Sequence, residues 1–94
     1  MIIEFDPAKN AKNIAERGLS FRRAVDFDFE TAKTWQDTRI DYPESRFIAL
    51  GYLDNRLHVL VFCMIPGGIR VISFRKANQR EGVTHGFTLT RNGC

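Results

Sequence analysis

Cysteine is nearly absent from this chain, with two in 94 residues. Cys63 stands inside the apolar run 59–65, where a free thiol behaves as a small hydrophobe. Cys94 is the final residue and is expected to be exposed. No disulfide framework can be built from such a pair, and no spacing links either thiol to His58 or His85 as metal ligands would require. No metal site is read from this pattern, and no cofactor is expected. Long apolar runs are missing too: none approaches the roughly 20 residues that span a bilayer. The opening Met1-Ile2-Ile3-Glu4-Phe5-Asp6 lacks the basic start and apolar stretch of a secretory leader. A cytoplasmic protein without membrane contact is the expectation. Internal repeats, low-complexity tracts and linkers are likewise absent.

What is present has ordinary globular proportions, 44% hydrophobic and 27% charged, which argues against disorder. A chain of this length forms one domain, 1–94, and buries only roughly two-thirds of the surface its unfolded form exposes. Its site should be a shallow groove, better suited to a polymer than to an engulfed small molecule. The net charge of +3 is unevenly spread. Residues 1–44 carry nine acidic and seven basic side chains, whereas residues 45–94 carry two and seven, so the halves stand at −2 and +5. The basic half suits a polyanion.

Along the chain, Ile2–Phe5 reads as a short strand. Asp6-Pro7 then starts a helix, Asp6 as N-cap and Pro7 at the first helical position. Ala8, Ala11, Ile14 and Ala15 recur at helical spacing, and Gly18 supplies the stop. Ser20 opens a second helix with Phe21, Ala24 and Val25 as its apolar stripe. The period then changes to that of strands: Thr31–Trp35, Arg46–Leu53, Arg56–Ile65 as the central strand, and Ile69–Phe74. Asp54-Asn55 makes a two-residue hairpin turn and Pro66-Gly67-Gly68 a second turn. Arg75–Glu81 begins a last helix, and residues 82–94 carry no assignable pattern. The order β-α-α-β-β-β-β-α gives an α+β fold, two N-terminal helices packed on a mainly antiparallel sheet.

Several segments, in order, resemble a known family. Phe5-Asp6-Pro7-Ala8-Lys9, then Asn13, then Arg17-Gly18-Leu19-Ser20-Phe21 with Ala24 is similar to the opening of BrnT-type toxins. Glu44-x-Arg46-Phe47-Ile48 with Gly51, and Ile69-Arg70-Val71-Ile72-Ser73-x-Arg75-Lys76-Ala77 followed by Arg80-Glu81, resemble later parts of the same pattern. The likeness covers roughly Ile3 to Glu81. It departs at Arg17, where the family often has His, at Cys63-Met64, and beyond Glu81, where a basic helix with a Tyr is usual. The resemblance implies a RelE-like fold and a metal-independent ribonuclease toxin that halts translation in a bacterial cell. It also implies a cognate ribbon-helix-helix antitoxin, which carries the complex to operator DNA, and a dimer within the toxin–antitoxin complex.

A metal-free ribonuclease activates a ribose 2′-hydroxyl, offsets charge developing on the phosphate, and protonates the departing 5′-oxygen. Guanidinium forks match phosphate oxygens, so arginines suit the second task. Arg75, Arg46, Arg80 and Glu81 are the catalytic candidates, with Arg70, Lys76 and Lys9 for RNA binding. Each arginine read singly is a solvated surface residue; its place in the motif singles out Arg75. A regular strand would put Arg70 and Arg75 on opposite faces, so both reach one substrate only if the chain bends near Ser73. Glu81 and Glu44 are general bases or carboxylates that orient arginines. His58, alternating on a strand, reads as structural, and His85 as a stand-in for the missing Tyr. A second reading is a catalytically degenerate toxin fold that serves as antitoxin partner and co-repressor. A general RNA-binding domain fits less well, because aromatics do not interleave with the basic residues.

Overall fold

The computed structural model describes residues 1–91; Cys94 lies outside them. Strand β1 (Ile2–Phe5) leads to helix α1 (Pro7–Arg17) and a 3₁₀ segment, Phe21–Asp26. Strands β2 (Lys33–Asp37), β3 (Arg46–Leu53), β4 (Arg56–Ile65) and β5 (Gly68–Lys76) follow, then helix α2 (Gln79–His85). The five strands form one sheet in the order β1-β5-β4-β3-β2, with β4 at its centre. Among the described residues only the β1–β5 pair is parallel.

Local chemistry sets most of these limits. The Asp6 carboxylate accepts from the Ala8 N–H at 2.9 Å, and Gly18, at φ 64°, closes α1 by donating to Ile14 O at 2.8 Å. Asp54 and Asn55 both take positive φ, 50° and 63°, as a tight hairpin with the sheet's twist requires. Strand β2 lies two residues later than the sequence pattern places it, and β5 extends to Lys76.

Two expectations fail here. The segment after Ser20 is a six-residue 3₁₀ turn rather than a second α-helix, so the chain has one N-terminal α-helix and lacks the RelE-like arrangement with two. Phe21, Ala24 and Phe27 crowd onto the sheet within seven residues, which a tight turn permits before the chain departs for β2. The apolar stripe of α1 also does not face the sheet. Ala8, Ala11, Ile14 and Ala15 are exposed, and the helix docks through its asparagines instead. Buried Asn13 donates to Leu19 O (2.9 Å) and Phe74 O (3.0 Å), while Asn10 Oδ1 accepts from the Phe21 N–H at 2.8 Å.

The sheet has two unlike faces. On one, Phe21, Ala24 and Phe27 pack on Ala49, Leu53, Leu60, Phe62, Ile69, Val71 and Phe74. On the other, Leu50, Tyr52, Leu57, Val59 and Ala77 are covered by Phe87 and Leu89 at one end, leaving Trp35, Ile48 and Val61 only partly buried. That second, partly open face carries the candidate site.

Candidate active site

Strand β5 decides which side chains reach the open face. Val71 pairs with Phe62 and Ser73 with Val61, so Ile72 is an extra residue and the ladder is bulged there. A bulge resets the alternation of side chains. Ile69 and Val71 before it, and Phe74 after it, all point into the core under the 3₁₀ segment. Arg70 and Arg75 consequently share the opposite face, across from Cys63 and Val59 of β4. This is the bend near Ser73 that a common substrate for the two arginines demands.

Arg75 meets Glu81 as a two-pronged pair, Nη1 to Oε1 at 2.9 Å and Nη2 to Oε2 at 2.6 Å. Glu81 Oε1 also accepts the Asn78 N–H at 2.9 Å, completing a capping box at the start of α2, whose other half is Glu81 N–H to Asn78 Oδ1 at 2.8 Å. The Arg75 hydrogen bond, opposed by partial burial and aided by the Asn78 amide, holds the Glu81 carboxyl down to about 2. The same bond raises Arg75 above the ordinary guanidinium value. Glu81 is thus an ionised carboxylate with both oxygens engaged.

Around this pair, a depression of ≈ 180 Å³ is lined by Trp35, Arg39, Ile48, Leu50, Val59, Val61, Arg75, Glu81 and His85. His85 stacks on Trp35, centroids 4.8 Å apart and planes at 21°. Lys33 Nζ lies 3.1 Å from His85 Nδ1. An ammonium only donates, so Nδ1 is the acceptor and a neutral ring carries its proton on Nε2. Helix α2 continues to His85 and closes at Gly86, φ 78°, where the sequence shows no helical stripe.

Further along the same face, Arg46, Cys63 and Arg70 stand in register across three strands. With Tyr42, Glu44 and Ile72 they line a second depression of ≈ 230 Å³. Arg70 is bound by Glu4 (3.1 Å) and Glu44 (2.9 Å), which raise its pKa, and the Arg46 guanidinium lies 4.2 Å from the Tyr42 ring centroid. Burial, then the Glu44 charge, pushes the Cys63 thiol up, away from a nucleophilic thiolate.

The remaining candidates are elsewhere. Lys76 is exposed at the end of β5, where it lines a groove with Arg17 and Arg56. Arg80 and Lys9 are exposed on the first turns of α2 and α1 and line neither depression. His58 is buried, its Nδ1 2.6 Å from Arg56 O, and burial lowers its pKa; it has the surroundings of a structural histidine. Among the described residues no three His, Cys, Asp or Glu side chains gather as a metal would need, and no helix is long and apolar enough to cross a membrane. Trp35 and His85 join Arg75 through strand register and through α2, which starts at Gln79 rather than at Arg75 and runs into 82–85, where the sequence pattern gives no assignment.

Two arginine-bearing depressions on one open sheet face, with an indole and an imidazole beside one of them, make this an α+β protein whose open face is suited to a phosphate-bearing polymer. Residues 5–81 match the family described as "Ribonuclease toxin, BrnT, of type II toxin-antitoxin system". The chain belongs to that family. No curated protein matches it closely enough to add an individual relative.

Proposed function

We propose that this chain is itself an active, metal-independent endoribonuclease that cleaves RNA and so inhibits translation in the cytoplasm. The observation that carries the reading is the Arg75 fork, fixed by Glu81 at the junction of β5 and α2 on an open face. A scissile phosphate at this point would exchange with or join the Glu81 oxygens. Preorganised donors of this kind stabilise charge that develops on the phosphate oxygens as the ribose 2′-oxygen attacks phosphorus and the 5′-oxygen leaves. Glu81 acts as the positioning residue, because a carboxylate held near 2 and doubly bonded is a poor proton acceptor. His85 can hydrogen-bond the departing oxygen through Nε2–H, while solvent takes the proton that the 2′-hydroxyl loses and returns one to the leaving 5′-oxygen. Arg70 and Arg46 hold the strand further along the face, with Lys76 and Lys9 outside it.

In this reading the chain is neutralised by a ribbon-helix-helix antitoxin that takes the complex to operator DNA, with a dimer formed inside the complex. The test is cleavage of RNA by the purified chain, with Arg75→Ala beside it. Activity should fall by about 10²–10³-fold in the variant, and growth arrest on expression without antitoxin should be lost. Arrest that persists in Arg75→Ala refutes the role assigned to that residue. A second reading, the degenerate antitoxin partner and co-repressor, rests on the family match ending at Glu81, before His85. It requires tight antitoxin binding by a wild-type chain that cleaves nothing.

A further inference from the structure

At the end of the sheet where α1 stops lies a groove of ≈ 860 Å³, several times the volume of either depression on the open face. We propose that this groove binds backbone phosphates of the RNA strand that Arg75 clamps, an inference that rests on the ribonuclease reading for its ligand but not for its test. The geometry is a cationic trough. Its charged lining is Arg17, Arg23, Arg56, Arg75 and Lys76 against one acid, Asp54. Arg23 already satisfies that acid, with Nη2 at 2.8 and 2.9 Å from its two oxygens.

Among the described residues, three of these cations pair with no carboxylate. Arg56 donates from Nη1 to Leu57 O (2.7 Å) and from Nη2 to Ala77 O (3.0 Å), so its fork is held in place with its charge uncancelled. Among the described residues Arg17 donates to the Asn13 amide oxygen alone, at 3.1 Å. Lys76 is exposed at the strand end, and among the described residues no carboxylate forms an ion pair with it. Fixed guanidinium forks and an ammonium are the groups that recognise phosphate.

Nucleic acid rather than an acidic peptide is favoured by two features. Arg75 lines both this groove and the depression holding Glu81 and His85, so a strand clamped there runs directly into the trough. Apart from the buried His58 ring, the lining has no aromatic group and, apart from Leu19 and the buried Leu53, no apolar anchor, whereas protein partners seat buried anchors in pockets. With the one lining ring, His58, buried and unable to stack on a base, contacts would be made to the backbone and be indifferent to sequence.

The experiment measures binding of a short single-stranded 2′-O-methyl RNA, which lacks the attacking hydroxyl and cannot be cleaved, over a range of salt. For the full chain carrying Arg17→Gln and Lys76→Gln, the slope of log K against log salt should fall by about 1.4, from about 0.7 per lost phosphate contact on a single strand. Lys76→Gln alone, at an exposed side chain, should lower it by about 0.7 and guards against a folding defect in the double variant. Equal slopes in wild type and variants, or no binding by the wild type, overturn the proposal. So does a loss confined to competition by polyglutamate, which would make the groove a protein-docking surface. Absence of cleavage of ordinary RNA by the wild type sinks the ribonuclease reading while leaving the slope test of the groove intact.

Discussion

Glu81 reaches Arg75 with both oxygens while one of them also caps α2, so the strand and the helix are joined through a single carboxylate. Glu81→Gln keeps an oxygen for the cap but loses the two-pronged charge pair. Under the proposed mechanism it should lower kcat by about 10²-fold, the scale of a misplaced catalytic group, with little change in KM. The acid limb of the pH–rate profile should stay where it is. Loss of that limb would make Glu81 the proton acceptor instead. Arg75→Ala should fall further, by about 10²–10³-fold in kcat.

The same carboxylate makes stability depend on pH. Glu81 falls from 4.5 to about 2 on folding, and Asp37, clasped by Arg39 and by the Tyr42 hydroxyl, falls from 3.8 to about 2. A carboxyl depressed in the folded state contributes stability that is complete above its unfolded value and is lost as pH drops toward the folded one. The urea midpoint should therefore decline from about pH 5 to pH 2. Glu81→Gln and Asp37→Asn should each flatten that decline while lowering the midpoint at neutral pH. An unchanged slope in both variants would show that neither pair is coupled to folding.

Much of this could be read in the sequence because it is written locally. Asp6-Pro7, Gly18, the Asp54-Asn55 turn and the apolar run of β4 each act within a few residues, and each stands where the pattern places it. The misses are tertiary. Alternation over Ile69–Phe74 gives no sign of the extra residue at Ile72, since the bulge exists only relative to Val61 and Phe62. Helix α2 runs through Gly82 because a side chain there would lie 3.0 Å from Phe87 O and 3.4 Å from Leu57 Cδ2; packing of the helix on β4 outweighs the low helix propensity of glycine. The stacking of His85 on Trp35 joins residues fifty positions apart, and only register brings them together.

Asn13 shows how a polar residue can replace an apolar helix face. Its amide bridges the α1 terminus to β5 through Leu19 O and Phe74 O, and its oxygen receives Arg17. Asn13→Ala strips the partner from a buried carbonyl and should cost about 1–3 kcal/mol in urea unfolding. Asn13→Asp replaces both donors with a carboxylate facing two carbonyls. That raises the carboxyl's folded pKa, so the loss should be larger at pH 7 than at pH 4. A loss independent of pH would mean that residue 13 does not meet those carbonyls.

Gly51 lies in β3 where the 3₁₀ segment's exit crosses the sheet. A Cβ there would stand 2.8 Å from Ala32 Cβ, 2.8 Å from Phe27 Cζ and 3.2 Å from Asp28 O. The backbone is ordinary extended strand, so the requirement for glycine is steric. Phe27 cannot retreat, because its ring is held edge-on by Phe29 and Phe74, centroids at 4.8 and 6.1 Å. Gly51→Ala should therefore destabilise by about 1–3 kcal/mol, as overpacking of a dense core does. The explanation has a sharper consequence than the loss itself. Phe27→Leu shortens the side chain that clashes, so the double variant should be more stable than the two single losses add up to, with a coupling of at least about 0.5 kcal/mol. Additive losses would place the strain on the Asp28 carbonyl, which no change at residue 27 relieves.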